Sequence, residues 1–364
     1  MKVAILTQPL HSNYGGLLQN YALQSVLKEM GHDVITIDRH IARSNNFFKD
    51  IIKRILQFIQ PSYDISLLTY KQKMSLAHLQ QQFIERHIHK TERIFSQKVF
   101  DKYIAANSVD AYIVGSDQCW RPCYSANIYN YYLDFVNKNC KKIAYAASFG
   151  VDTWEYRDDV TAKVSDLLKT FDFVSVREQS AVALCSERLG VDASWVLDPT
   201  MLLGKDGFMR FVSPAKSDYV LDYLLEESKE ARDLVQAIKV KTQISEVRSN
   251  IASSVFHRGE SIESHQNISV EEWLSNIYNA SFVVTDSFHG AVFCILFNIP
   301  FVVKLNSVRG NTRLESLLAD FGLEHCICHD VDKISVMNYN WDRINAHLNL
   351  RQKESKDFLE KSLA

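Results

Sequence analysis

Short apolar runs that end in clusters of glycine and small polar residues, each followed by helical spacing, set the tightest limit on how this 364-residue chain can fold. Val3 to Leu6 is the first run, apolar throughout as a parallel strand covered on both faces should be. Asn13-Tyr14-Gly15-Gly16 follows, and then Leu17, Leu18, Tyr21, Ala22, Val26 and Leu27 recur at helical spacing. Gly31 suits the position just past a helix, where positive φ is needed, and Val34 to Ile37 reads as a second strand. A strand, loop, helix and strand in so few residues predict a parallel sheet with helices outside.

Residues 45–105 interrupt this rhythm with a long, glycine-free stretch of helical pattern, read as an insertion. Strand pattern resumes at Ala111–Val114 and Ile143–Ala147, and again from Phe173–Val176 onward, through Tyr219–Leu224, Phe282–Val284 and Phe301–Leu305. The chain is therefore expected to be α/β, with two Rossmann-like domains facing a cleft. The expected limits are residues 1–170, with the insertion, and 171–340, followed by a helix over 341–364. Ligands of open parallel sheets sit beyond the carboxyl ends of strands, and the polar clusters of this chain fall there.

Composition narrows the function classes. Lys and Arg number 41 against 43 Asp and Glu, a net charge of −2, which speaks against a broad basic surface for nucleic acid. The seven cysteines form neither a paired metal pattern nor the framework of a small secreted domain, and most are expected to be reduced. MKVAILTQPL is interrupted too early for a signal peptide, and the apolar run Ala291–Val303 is broken by Asn298 and Pro300. A cytoplasmic location is the expectation, with no metal or resident cofactor called for.

Each polar cluster has a chemical and a plainer reading. Asn13, Tyr14, Gly15 and Gly16 either line a ligand at a helix amino end or form a tight turn. In Gly115-Ser116-Asp117-Gln118, Asp117 is a candidate general base for a sugar hydroxyl, or a cap for the next turn. Trp120 offers a stacking platform for a sugar, or a core side chain. Arg177 ends a strand and could fork onto a carboxylate or phosphate, or pair with Glu178 or another acid at the domain seam. Asp198, before Pro199, reads as structural. In Thr285-Asp286-Ser287-Phe288-His289-Gly290, His289 stands at a strand-to-helix switch and is the leading catalytic candidate. Asn306, Arg309, Asn311 and Arg313 follow another strand end and could bring positive charge to the same place.

NYGGLLQNYAL (13–23), VGSDQCW (114–120), YAASFG (145–150), SVRE (175–178), LDPT (197–200) and TDSFHG (285–290), in that order, resemble the polysaccharide pyruvyl transferase family. The resemblance implies transfer of a pyruvyl group from phosphoenolpyruvate to a sugar of a cell-surface glycan or its lipid-linked precursor. The product would be a cyclic ketal, with phosphate released. It implies a GT-B-like fold, in which the last helix often crosses back to the first domain. His289 and Asp117 become the catalytic pair. Arg177, Ser287, His289, Gly290, Asn311 and Arg313 become donor-binding, and Asn13, Tyr14, Gly15, Gly16, Ser116, Asp117, Gln118 and Trp120 acceptor-binding. Family members often read Arg-Leu-His where this chain has Ser287-Phe288-His289, so Arg309 or Arg313 would have to supply the missing cation. A glycosyltransferase using a sugar nucleotide, or a non-catalytic glycan-binding relative, are the alternatives.

The segment Phe47 to Ile59 mixes bulky apolar residues with Lys49, Lys53 and Arg54. The expectation is a helix whose apolar side packs on the first domain. The alternative is a helix lying on an anionic membrane surface.

Overall fold

The computed structural model describes every residue except 42–46, 137–138, 216, 227, 252–254, 307–309 and 335–338. In chain order the strands are β1 (Lys2–Leu6), β2 (Asp33–Ile37), β3 (Ser62–Asp64), β4 (Ala111–Val114), β5 (Lys141–Ala147) and β6 (Phe173–Val176). They continue with β7 (Ser194–Trp195), β8 (Tyr219–Tyr223), β9 (Glu246–Ser249), β10 (Val255–His257), β11 (Phe282–Thr285) and β12 (Phe301–Val303). A six-stranded parallel sheet has the order β2-β1-β4-β5-β6-β7, and a four-stranded parallel sheet the order β12-β11-β8-β9. Helices cover both sheets, giving two Rossmann-like domains.

Strand order reverses between β1 and β4 in the first sheet and between β8 and β11 in the second. Successive crossovers leave opposite faces at these points, so the loops beyond them diverge and open a crevice. The NYGG and GSDQ loops follow β1 and β4, while Ser287 to Gly290 follow β11. Helix Tyr14–Glu29 begins where Asn13 Oδ1 accepts from the Gly16 amide (3.2 Å) and ends before Gly31, whose φ of +85° fits the expected glycine.

The expected seam at residue 170 is displaced. β6 and β7 hydrogen-bond into the first sheet, so the change of sheet falls between Trp195 and Tyr219. An apolar parallel strand reads alike in either sheet, so the run at Phe173 resembled the start of a new domain. The insertion over 45–105 holds helices Phe47–Ile59, Tyr70–Leu76, His78–His87 and Gln97–Ala106, but also β3, which pairs antiparallel with β10 of the second half. Tyr63 stacks on Phe256 there (5.7 Å between centroids), and the Gln80 side-chain amide donates to the Ile268 carbonyl at 2.5 Å.

Helix Trp341–Leu363 spans both halves. Ile344 and Leu348 pack into the core of the second domain, and Leu359 and Leu363 into the core beside β1, β4 and β5. Between them, Ser355 Oγ accepts from the Leu197 amide (2.9 Å), and the Gln352 side chain donates to the Met201 carbonyl (2.7 Å). Leu359→Ala should cost about 2–5 kcal/mol by leaving a cavity in a fully buried site. The exposed neighbour change Glu360→Ala should stay within ~0.5 kcal/mol. Urea unfolding of the two variants tests the contrast, and equal midpoints would show that the helix end does not seal the first domain.

Candidate active site

Between the two domains lies a cavity of about 770 Å³ whose walls include Asn13, Tyr14, Asp117 and Gln118 from the first domain. Ser287, Phe288, His289 and Arg313 face them from the second. Behind its lining, four groups form a chain in which Asp117 and His289 reach the cavity and Arg177 and Asp198 are buried between them. Asp117 Oδ1 lies 3.4 Å from Arg177 Nη2, Arg177 Nη1 donates to Asp198 Oδ2 at 2.8 Å, and His289 Nε2 lies 3.6 Å from the same Asp198 oxygen. That last distance is longer than a normal hydrogen bond.

Asp198 is the hub. Its Oδ1 accepts from the Thr200 amide (2.9 Å) and hydroxyl (2.6 Å), which caps helix Pro199–Leu203, and its Oδ2 accepts from Ser116 Oγ at 3.0 Å. Burial alone would raise its pKa, but His289, Arg177 and Thr200 outweigh burial and hold the carboxyl well below the usual range. Reading Asp198 as structural thus captured the Oδ1 side and missed the Oδ2 side. The available signal was that LDPT, like the other motifs, ends an apolar run.

Arg177 does not line the cavity. Its side chain is 1% exposed, both ends of its fork are taken by Asp198 and Asp117, and the Phe288 ring lies 4.4 Å from its guanidinium carbon. Burial opposes its charge, yet Asp198, Asp117 and Glu178 together raise its pKa. The donor-clamp expectation for Arg177 is therefore replaced by the ion-pair reading, because two buried carboxylates require a buried cation. Glu178, also buried, accepts from the Ser148 hydroxyl (2.9 Å) and the Phe149 amide (3.0 Å), holding the loop after β5. Burial pushes its carboxyl up.

Two acceptor-side expectations also fail. Trp120 is fully buried, stacks on Tyr132 (5.2 Å between centroids) and donates from Nε1 to the Tyr131 carbonyl (2.9 Å), so no sugar can reach it. Ser116 is fully buried and spends its hydroxyl on Asp198. Asp117, by contrast, stands at the cavity wall with φ of +71°, a left-handed conformation that costs a non-glycine residue energy and often marks functional positions. Gln118 lines the cavity and its Oε1 accepts from Arg121 (3.3 Å). The Tyr14 hydroxyl donates to the Ile268 carbonyl (2.8 Å), and its ring stacks on Trp273, so it joins the domains as well as lining the cleft.

Gly15 lies directly against His289. A Cβ at Gly15 would overlap Nδ1, Cγ and Cε1 of the imidazole, so only glycine lets the ring occupy its place between Gly15 and Asp198. Gly16 stands nearby, where a Cβ would sit 3.5 Å from Asp117 Oδ2, an ordinary contact. Ser287 Oγ accepts from the Gly290 amide (3.3 Å) and caps helix Phe288–Phe297, whose positive amino end points into the cavity. Asn311 Oδ1 accepts from the Asn306 amide (2.8 Å), while Asp286 takes the Leu225 and Glu226 amides (2.7 and 3.0 Å) and the Asn306 side chain (3.1 Å). Leu225, Asp286 and Asn306 line the cavity, whereas the expected donor-binding Asn311 does not and holds Asn306 from behind. Arg313 is the described arginine that lines the cavity, and Arg309 lies outside the described residues. Burial, and then repulsion from Arg177, push the Arg313 pKa down to about 10.

The family model for polysaccharide pyruvyl transferase matches residues 13–307, a span that holds Asp117, Arg177, Asp198 and His289. The chain belongs to the polysaccharide pyruvyl transferase family. No curated protein matches it significantly. Among solved structures, Arabidopsis thaliana UGT89C1 complexed with UDP-L-rhamnose is similar over 98% of this chain and 97% of that one, at 9% identity and a TM-score of 0.52. The complex of the same protein with quercetin gives 98% and 98%, 9% and 0.50. UDP-GlcNAc 2-epimerase from Methanocaldococcus jannaschii is similar over 96% and 92%, at 11% and 0.47. Likeness at such identity concerns the fold, and it is a GT-B-like fold that this pyruvyl transferase family member adopts.

Two outcomes follow from the geometry. Arg177→Ala leaves Asp198 and Asp117 buried without their cation and should destabilise the protein by about 3–5 kcal/mol. Asp198 also sets an acid limb. Its folded pKa lies below the ordinary 3.8, so its contribution is complete above that value and is lost as pH falls below it towards the folded pKa. Urea midpoints measured from neutral pH down to acid should fall less steeply for Asp198→Asn than for the unaltered chain. Parallel curves would remove Asp198 as the source of the limb.

Proposed function

We propose that the cavity transfers the pyruvyl group of phosphoenolpyruvate to two hydroxyls of a polysaccharide sugar or its precursor, forming a ketal and releasing phosphate. The observation that carries this reading is the chain Asp117–Arg177–Asp198–His289, whose two ends, one from each domain, reach one cavity.

The donor carries a carboxylate and a phosphate, so it needs positive charge in a site that excludes water. Arg313 and the amino end of helix Phe288–Phe297 supply that from the second domain. The position of Arg313 suits an anion for an energetic reason. Burial and Arg177 disfavour its charge while Asp117 and Glu178 favour it, and a bound dianion would add to the favourable side. Ser287, the residue in place of the expected cation, serves as the helix cap instead.

Chemistry begins with a proton delivered to the methylene carbon, which makes the adjacent carbon cationic. His289 is the assigned acid, with Asp198 stabilising its protonated form. One sugar hydroxyl adds to the cationic carbon and loses its proton to Asp117, which faces the cavity from the opposite domain. The carbon–oxygen bond to phosphate then breaks, a second hydroxyl adds, and its proton leaves with the phosphate. One phosphoenolpyruvate and two hydroxyls become one ketal and one hydrogen phosphate, without oxidation or reduction.

Phosphate release from phosphoenolpyruvate should require a glycan acceptor. His289→Ala should lower kcat at least about 100-fold with the fold intact, as loss of a general acid does. Arg313→Ala should raise KM for phosphoenolpyruvate more than it lowers kcat. Full turnover by His289→Ala would remove that residue from the acid role. Thermal stabilisation by nucleotide sugars, with none by phosphoenolpyruvate, would point to glycosyl transfer instead.

Gly15→Ala should shift His289 without unfolding the chain. A loss of phosphate release at least tenfold, with an unchanged melting temperature, is the expected outcome. Unchanged release would show that the ring position does not matter to turnover.

A further inference from the structure

Helix Phe47–Ile59 is mounted the wrong way round for a surface helix. At about 100° per residue, Phe48, Ile51, Ile52, Ile55, Phe58 and Ile59 fall within a single arc. All six are exposed, Phe58 and Ile59 at 75% and 64%. The opposite side faces the protein, and it is polar. Lys53 Nζ donates to the Leu68 carbonyl (3.1 Å), and Gln57 Nε2 to the Leu67 carbonyl (2.8 Å) and the Gln72 side chain (3.2 Å). The expectation that the apolar side packs on the first domain is thus reversed, because two bonded carbonyls fix the polar side inward.

The charges around this face select its partner. Lys49 and Arg54, both exposed, fall at the two edges of the apolar arc, and Arg258 reaches the carbonyl of Phe58 at the helix end. The acid of the helix, Asp50, falls outside the arc. Basic side chains bordering bulky apolar ones suit an anionic bilayer, where apolar side chains enter the acyl boundary and the cations meet headgroups. None of the described helices is long and apolar enough to cross a membrane, so the helix would lie in the surface.

Its place in the fold gives the face a use. The helix is bonded to the turn Ile65–Leu67, and Ile65 is both 45% exposed and part of the cavity wall, as is the exposed Ile41. Exposed apolar side chains thus stand both on the helix and, through the turn that holds it, at the cavity wall. We infer that helix Phe47–Ile59 docks this protein on an anionic membrane surface, setting the cavity mouth against the bilayer to receive an acceptor held by a lipid anchor. The acceptor clause rests on the proposed function; the docking itself does not.

Sedimentation of the whole chain with vesicles tests docking without donor or acceptor present. Binding should be strong to phosphatidylcholine vesicles containing phosphatidylglycerol, weak to phosphatidylcholine alone, and reduced by salt. Ile52→Glu combined with Ile55→Glu should abolish it, and Lys49→Glu with Arg54→Glu should weaken it by at least about tenfold. The Ile52→Glu/Ile55→Glu variant should remain folded, since both positions are exposed, and should keep its phosphate release with a water-soluble glycan. Absence of binding to anionic vesicles, or binding indifferent to the paired glutamates, would overturn the inference. Sedimentation velocity showing a dimer in solution that those glutamates dissociate would assign the face to a second copy and overturn it equally. Failure of phosphate release in the unaltered chain would count against the proposed reaction and leave the vesicle result standing.

Discussion

The buried carboxylate of Asp198 is the constraint on which the site depends. A carboxylate taken out of water without partners is too costly to keep ionised. Here Thr200 and Ser116 donate to it, Arg177 neutralises it, and His289 approaches from the other domain. Each partner belongs to a different stretch: the loop after β4, the end of β6, the segment after β7, and the helix after β11. Satisfying one charge therefore fixes the relative placement of three strand ends and draws the second domain onto the first. The same arrangement leaves His289 Nε2 3.6 Å from an Asp198 oxygen, at the edge of the cavity.

The sheets explain why this charge stands beside a cavity. Both switch points, β1/β4 and β8/β11, open toward the same space. Helix Tyr14–Glu29 fills the boundary between the domains, with Tyr14 against Trp273 and Tyr21 against Phe208 and Phe211. Helix Trp341–Leu363 and the β3–β10 pair are further links between the halves. With polar groups on the floor and aromatic packing behind them, the site gains a low-dielectric surrounding in which few charges have large effects.

Much of this was legible in the sequence, and the failures share a cause. Apolar runs and their polar ends reported which residues stand at strand tips, and Asp117, Gln118, Ser287 and His289 all reach the cavity. They did not report which way each side chain turns. Ser116 and Asp117 are adjacent, yet one faces the core and the other the cleft. Arg177 and Trp120 were read as facing ligand and instead face acids and aromatic rings. The seam near residue 170 failed because a strand's pattern records burial, not the sheet to which it belongs. Helix Phe47–Ile59 failed likewise: periodicity showed an apolar side, while hydrogen bonds from Lys53 and Gln57 decided which side faced inward.

The substitution of Ser287 for a cation has an electrostatic rationale on a pyruvyl-transfer reading. A cation at that position would stand at the positive end of helix Phe288–Phe297, where the helix dipole opposes it. Serine there does the reverse: its hydroxyl oxygen accepts from the Gly290 amide and satisfies one of the end's free donors. Arg313 reaches the cavity from a different helix, Thr312–Phe321. At Arg313, burial and Arg177 disfavour the charge while the Asp117 and Glu178 carboxylates favour it, so a cation on that helix meets acids as well as an arginine, whereas one at position 287 would meet the helix end directly.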